Sequence, residues 1–137
     1  MNRQLRKNSY FIINLVFIGI ILLIILYSFV FTPAGNYPVP SGAEFLSGTP
    51  VISTGLSRSF SAIVRFRFAE ARQYNPNGIR IFLFFLIQLI MRITAGVSIF
   101  RTGSTYRPFI MTDEVLTVII FVICFWPFIV NFFNQFI

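Results

Sequence analysis

The chain has 137 residues, of which 56% are hydrophobic and 11% are charged, so its preferred surroundings are hydrocarbon and not water. It has no histidine, one cysteine and four acidic residues, which excludes a metal cluster of these side chains and an intramolecular disulfide. The net charge of +7 comes from basic residues that flank apolar segments, so membrane topology and anionic lipid explain it before nucleic acid does. The sequence predicts one all-α membrane domain with no cofactor.

The first predicted span covers residues 9–32. From Phe11 to Phe31 the side chains are almost all aliphatic or aromatic, apart from Asn14 and Ser28, and about 20 apolar residues suffice to cross a hydrocarbon core. The preceding stretch "MNRQLRK" is basic, like the start of a secretory signal peptide. Because the apolar run is long for such a signal, we expect an uncleaved anchor, with a cleaved signal as the alternative.

The region after this span divides at Gly55. Residues 33–54 are predicted to form a loop, because they contain four prolines with several glycines and serines. A short amphipathic helix is predicted at residues 55–66, capped by Thr54 or Ser53. It is too short and too charged to span, so we expect it in the headgroup zone or against the bundle.

The predicted short helix has one apolar and one polar face: Leu56, Phe60, Ile63 and Val64 against Arg58, Ser61 and Arg65. Extending it would place Arg67 on the apolar face, so a bend is expected at residues 66–68. The alternation in "VRFRF" also fits a strand. The strand is the weaker alternative, because an unpaired strand beside lipid leaves its backbone groups without hydrogen bonds.

The second predicted span covers residues 76–98, with Asn75 as its cap and Pro76 in its first turn. Arg80 and Arg92 enclose only a short uncharged run, so arginine side chains must extend toward both membrane surfaces for this segment to cross. Gln88 and Arg92 are four residues apart and share a face that should turn toward protein or water. Interfacial snorkelling is the simpler explanation for Arg92, and a functional site inside the membrane is the alternative.

The third predicted span covers residues 112–135. Thr112 is expected to cap it, while Asp113 and Glu114 place negative charge in the first turn, where the helix dipole favours it. Neighbouring residues point about 100° apart on a helix, so these two acids are a poor catalytic pair. Pro127 is expected to kink this span, and Cys124 is expected to be a small buried side chain.

Two motifs lie in the centre of the chain: "VISTGLSR" and, further on, "YNPNG" before an apolar span. Together they resemble an uncharacterised bacterial membrane family, the domain of unknown function 2752. That family is marked by Cys-Pro-x-Cys-Gly-x-Thr-Arg and a later Asn-Pro, and the resemblance covers roughly residues 45–95. The positions that match are Gly55, Ser57, Arg58, Asn75 and Pro76.

The first motif departs from the family pattern where the family has its two cysteines. Val51 and Thr54 stand at those positions, and Ile52 replaces the proline. Thiol redox chemistry and zinc binding are therefore not expected from this motif. The resemblance implies no activity, since the family has none assigned. What remains is a tight turn at Gly55, a hydroxyl cap and Arg58, which we interpret as a structural corner.

Basic residues are divided evenly between the two sides of the predicted membrane topology. Arg3, Arg6 and Lys7 precede the first span, and Arg101 and Arg107 lie between the second and third. Five further arginines lie on the other side: Arg58, Arg65, Arg67, Arg72 and Arg80. Since the first helix usually decides orientation, we predict a cytoplasmic N-terminus and an external C-terminus.

Three classes of function remain open. The first is a non-catalytic subunit, adaptor or assembly factor of a bacterial cytoplasmic-membrane complex, which we favour because acid–base groups are scarce. The second is a conduit or lipid-interacting protein with an arginine-lined polar track. An enzyme is the least favoured, since there is no histidine and no nucleophile constellation.

The expected partners are the bilayer, including anionic lipid, and another membrane protein or a second copy. The candidate structural or partner-binding residues are Thr54, Gly55, Arg58, Asn75, Pro76, Arg80, Gln88 and Arg92.

Overall fold

A computed structural model describes residues 8–32, 53–102 and 107–134, and five helices account for most of them. In chain order they are α1 (Ser9–Val30), α2 (Leu56–Ile63), α3 (Phe68–Tyr74), α4 (Gly78–Thr102) and α5 (Arg107–Asn134). These described residues contain no strand, which confirms the all-α class and makes the strand alternative for "VRFRF" wrong. Most of the predicted loop at 33–54 lies outside the described residues.

Three of the helices are long and apolar enough to cross a membrane. They are α1, α4 and α5, with 22, 25 and 28 residues. At a rise of 1.5 Å per residue their lengths are about 33, 37 and 42 Å, which exceed a hydrocarbon core of about 30 Å. The chain is therefore a multi-pass membrane protein.

The observed bounds of the spans correct two of the predicted helix starts. The start and end of α1 lie within two residues of the predicted bounds 9 and 32. Helix α4 starts at Gly78, so Pro76 lies in the preceding turn and not in the first helical turn. The prediction that Asn75 caps α4 is also wrong, because Asn75 lies three residues before that start and ends α3. Helix α5 starts at Arg107 and not near Thr112. Pro108 is compatible with that earlier start, because a proline in the first turn sacrifices no intrahelical hydrogen bond.

Helix α4 is the centre of the bundle. It packs against α1 and against α5, and its N-terminal part also contacts α2 and α3. Helices α1 and α5 therefore lie mainly along α4 and less along each other. A hydrophobic cluster forms where α2, α3 and α4 meet, and its buried members are Phe60, Ala62, Ile63, Ala71 and Ile81.

The predicted short helix at 55–66 is observed as the shorter α2, and a second short helix follows it. Helix α2 ends at Ile63, and after a turn at residues 64–66 the chain continues as α3. Phe66 adopts a left-handed conformation with φ of 59°, which redirects the chain and confirms the predicted bend. Helix α3 was not predicted. The bend keeps the side chain of Arg67 off the buried face and lets it pair with Glu70 at 2.6 Å.

Candidate functional site: a buried polar cluster

Polar side chains are buried between α1, α4 and α5. Helix α4 contributes Gln88 and Arg92, which are only 6% and 7% exposed. Their spacing of four residues places them on one face, and the prediction that this face turns away from lipid is confirmed. Arg92 is not a snorkelling side chain, because its guanidinium lies among polar partners inside the bundle.

Arg92 forms an ion pair with Asp113 of α5. The distance between Nη1 of Arg92 and Oδ2 of Asp113 is 2.7 Å, and both side chains are less than one-tenth exposed. Taking two charges out of water is costly, and the pair is tolerated because each charge neutralises the other at short range. Removing one partner would leave the other charge buried and unpaired.

Helix α1 joins the same cluster through two side chains. Asn14 Oδ1 accepts a hydrogen bond from Arg92 Nη1 at 3.1 Å, and the Tyr10 hydroxyl donates to Asp113 Oδ2 at 2.6 Å. The amide of Asn14 in turn donates to the backbone carbonyl of Tyr10 at 2.7 Å. On α5, Thr117 Oγ1 accepts from Arg92 Nη2 at 2.9 Å. All three spans therefore meet through hydrogen-bonded side chains.

The paired groups of this cluster link helices to one another. Its two charges neutralise each other, and within the described residues no group of three potential metal ligands exists. In the described part of the chain, Arg92 Nε is buried without a hydrogen-bond partner. The donors and acceptors that are paired all join one helix to another or to the same helix. The arrangement holds helices at fixed positions, as polar side chains do in membrane bundles.

The predicted role of Asp113 as a first-turn acid is wrong. Because α5 begins at Arg107, its first turn carries no acidic residue. Thr112 is not a cap either, since it lies inside the helix and its hydroxyl donates to the Pro108 carbonyl at 2.9 Å. Glu114 is exposed, whereas Asp113 is 8% exposed and paired. The two neighbouring acids therefore have different environments, as their 100° separation requires.

The stretch from Thr54 to Arg58 lies beside "YNPNG" and forms a corner at the opposite end of α4. Gly55 has φ of 79°, and a Cβ there would lie 2.3 Å from the carbonyl oxygen of Tyr74. Asn75 is buried, and its amide donates to the Thr54 carbonyl at 2.9 Å. The Asn75 side-chain oxygen accepts from the Asn77 backbone at 2.8 Å, which shapes the turn into α4. Gly55 holds the N-cap position of α2 without a side-chain hydrogen bond, so the predicted hydroxyl cap is wrong.

A second close approach in this corner was not predicted. Ser59 is fully buried, and its hydroxyl donates to the Ala71 carbonyl at 2.9 Å. A Cβ on Gly78 would lie 2.0 Å from that hydroxyl oxygen. Only glycine at residue 78 therefore allows the first turn of α4 to touch α2. The signal in the sequence was the glycine at the end of "YNPNG", whose role depends on a contact distant in sequence.

Arg65, in the turn that follows α2, holds α2 against the end of α1. Its Nη1 donates to the Ser28 carbonyl at 3.0 Å, and its Nη2 donates to the Phe29 carbonyl at 2.7 Å. The Ser61 hydroxyl also donates to the Ser28 carbonyl at 2.8 Å and contacts the Phe31 carbonyl. Helix α1 has no basic residue in its own last turn, so α2 satisfies carbonyls that a helix end leaves open.

The proposed polar track is not continuous. Arg58 and Arg80 are exposed near the corner, while Gln88 and Arg92 are buried in the cluster. From Arg80 to Arg92 the axial distance along α4 is about 18 Å, and the intervening residues are apolar except for Gln88. The structure therefore separates the predicted candidates into two groups, the corner and the buried cluster.

Comparisons with known proteins found no match to a protein family, to a curated protein or to a solved structure. The resemblance to the domain of unknown function 2752 stays an expectation from the quoted motifs. Arguments about function therefore depend on the geometry of this chain alone.

Proposed function

We propose that the protein is a non-catalytic subunit, adaptor or assembly factor of a complex in the bacterial cytoplasmic membrane. The observation that carries this proposal is the use of the intramembrane polar groups for internal contacts. Arg92, Asp113, Asn14 and Thr117 bind one another. They do not line a path across the bundle, which disfavours the conduit alternative.

Helix α5 is the surface proposed to meet the partner. It is the longest span, and of its 28 residues only Asp113 and Cys124 are buried. The ion pair fixes the position of α5 on α4, so its remaining faces are presented rigidly. Burial of Cys124 also confirms its prediction as a small packed side chain. A helix anchored along one narrow line and open elsewhere is suited to packing against a neighbouring membrane protein.

Purification in mild detergent, combined with site-specific photocrosslinking, tests this proposal. A photoreactive residue replaces Val118 on α5, and the matched control replaces Val16 on α1; both are more than half exposed. We expect a distinct polypeptide to co-purify at fixed stoichiometry and to crosslink from position 118 and not from position 16. A chain that purifies alone, or only with copies of itself, would contradict the subunit proposal.

The proposed orientation has a cytoplasmic N-terminus and an external C-terminus. The three candidate spans among the described residues support ends on opposite sides, and the usual dominance of the first helix supports the direction. C-terminal fusions to one reporter active only in the cytoplasm and to one active only after export distinguish the two orientations. Activity of the exported reporter alone is expected, and activity of the cytoplasmic reporter alone would reverse the assignment.

A further inference from the structure

An apolar groove opens between α1 and α5 beside α2. Its volume is about 550 Å³. All three spans and α2 contribute to its walls, with Ile20, Leu23, Ile24, Tyr27, Ser28, Leu56, Ser57, Phe60, Ile81, Phe85 and Phe125 as lining residues. It exists because α1 and α5 lie along α4 and not along each other in this half of the bundle.

The lining of the groove suits an apolar ligand. From Ile20 to Leu23 and Ile24 the α1 wall is aliphatic, and the α4 and α5 walls are Ile81, Phe85 and Phe125. Hydroxyl groups occur only toward the α2 end, at Tyr27, Ser28 and Ser57. An apolar cavity of this kind does not hold ordered water. Its position along the second half of α1 places it within the hydrocarbon core.

The groove is long enough to hold part of a hydrocarbon chain. Its α1 wall runs from Ile20 to Ser28, which is about 12 Å along the helix axis. A flexible apolar chain can lie along this wall against α4 and α5, and the choice of occupant depends on the charge at the end of the groove.

The groove ends at a strongly positive part of the surface. Helices α2, α3 and the start of α4, with the turn between α2 and α3, carry five arginines and one glutamate in the described chain: Arg58, Arg65, Arg67, Arg72, Arg80 and Glu70. Arg67 already neutralises Glu70 in their ion pair. Arg58, Arg72 and Arg80 are exposed. Excess arginine at headgroup depth attracts anionic lipid.

We propose that this groove binds one acyl chain of an anionic phospholipid, with the headgroup at the arginine-rich end beside α2 and α3. The apolar walls provide affinity for the chain, and the positive charge selects the headgroup. Such a lipid would fill the gap between α1 and α5 that their separate packing on α4 leaves. This inference does not depend on the partner proposed above, because every residue that it uses belongs to this chain.

Native mass spectrometry of the full chain in mild detergent tests the proposal with two lipids of identical chains, dioleoylphosphatidylglycerol and dioleoylphosphatidylcholine. We expect one phosphatidylglycerol to remain bound, at least tenfold more tightly than phosphatidylcholine. Leu23→Trp fills the groove and should abolish this single binding event. Ile90→Trp on α4 is the control, because Ile90 is similarly exposed but lies outside the groove.

A second pair of substitutions tests the contribution of the lipid headgroup apart from that of the acyl chain. Arg58→Gln combined with Arg80→Gln should reduce the preference for phosphatidylglycerol to about twofold while one lipid is still retained. If Leu23→Trp does not fold, Ser57→Phe closes the groove from its exposed rim and should have the same effect. Equal retention of phosphatidylglycerol by the filled variant and the Ile90→Trp control would overturn the proposal. So would equal binding of the two lipids to the unmodified chain.

Discussion

The two ends of the bundle are held together by different physical means. At the end where α1 begins, an ion pair between Arg92 and Asp113 joins α4 to α5, and Tyr10 and Asn14 of α1 form hydrogen bonds to that pair. At the corner beside α2 and α3, close approaches at Gly55 and Gly78 pack the elements together, and Arg65 binds carbonyls of α1. Lipid is as apolar as a leucine side chain, so hydrophobicity alone gives helices little reason to associate within it. A buried ion pair supplies that reason at one end, and close packing with hydrogen bonds to backbone carbonyls supplies it at the other.

The largest effect is expected from Asp113→Leu. This change leaves the Arg92 guanidinium buried without its counter-charge, which costs on the order of 3 to 5 kcal/mol. Unfolding in mixed detergent, followed by circular dichroism, measures the loss. Glu114→Leu is the matched control, since Glu114 is exposed on the same helix. Similar losses of stability in the two variants would show that the buried ion pair contributes no more than an exposed acidic residue on the same helix.

At the other end, Gly55→Ala and Gly78→Ala should each destabilise the corner. The added methyl group meets the Tyr74 carbonyl in the first variant and the Ser59 hydroxyl in the second. Overpacking of this kind costs about 1 to 3 kcal/mol. Gly19→Ala is the control, because nothing lies within 4 Å of its added methyl group and alanine favours the helix. If Gly55→Ala and Gly78→Ala are as stable as Gly19→Ala, the close approach at the corner is contradicted.

A somewhat smaller effect is expected from Arg65→Ala. It removes charged donors from the Ser28 and Phe29 carbonyls, and because these bonds are only partly shielded from solvent their loss should cost about 0.5 to 1.5 kcal/mol. Arg65→Lys should restore only part of the loss, because lysine lacks the planar fork that reaches two carbonyls. Unfolding in detergent and the abundance of the protein in membranes report both effects. Full stability of Arg65→Ala would assign the linkage to Ser61 alone.

The smallest effects are expected at Thr54 and Arg58. Thr54 contributes its backbone carbonyl to the contact with Asn75, so Thr54→Ser should change stability by less than about 0.5 kcal/mol. Arg58→Ala should destabilise less than Arg65→Ala, because Arg58 is exposed. Both variants are unfolded under the same detergent conditions. A larger loss of stability for Arg65→Ala than for Arg58→Ala supports the observed corner over the one predicted from sequence. A larger loss for Arg58→Ala would instead support the prediction from sequence that Arg58 holds the corner.

Local signals in the sequence predicted the fold well. Charge-free runs identified three spans, and the phase break at Arg67 located the bend between α2 and α3. The face shared by Gln88 and Arg92 was also predicted, because it depends only on helical periodicity. These features are encoded within short stretches of chain.

The partners of Arg92 could not be predicted from local pattern. Asp113 follows Thr112 and precedes Glu114, a sequence typical of a helix start. The better signal was global: a basic residue in one span, an acidic residue at the edge of another and an asparagine in the first. Buried charges within a bundle require partners. Pairing these residues across the spans would have indicated the cluster, although not its distances.

The partners of Arg65 could not be predicted for a similar reason. Helical periodicity placed Ser61 and Arg65 on a polar face, and polar faces are usually assumed to be solvated. The structure buries Ser61 against the end of α1, where open carbonyls need donors. Which polar face meets which helix end depends on the tertiary arrangement.

The coupling free energy between Arg92 and Asp113 tests the central claim most directly. A double-mutant cycle compares Arg92→Leu, Asp113→Leu and the variant with both changes by unfolding in detergent. We predict that the double variant is more stable than Asp113→Leu alone, with a coupling of at least about 1.5 kcal/mol, because removing both charges abolishes the unpaired one. Additive losses, with a coupling below about 0.5 kcal/mol, would contradict the conclusion that this ion pair holds α4 and α5 together at the centre of the cluster.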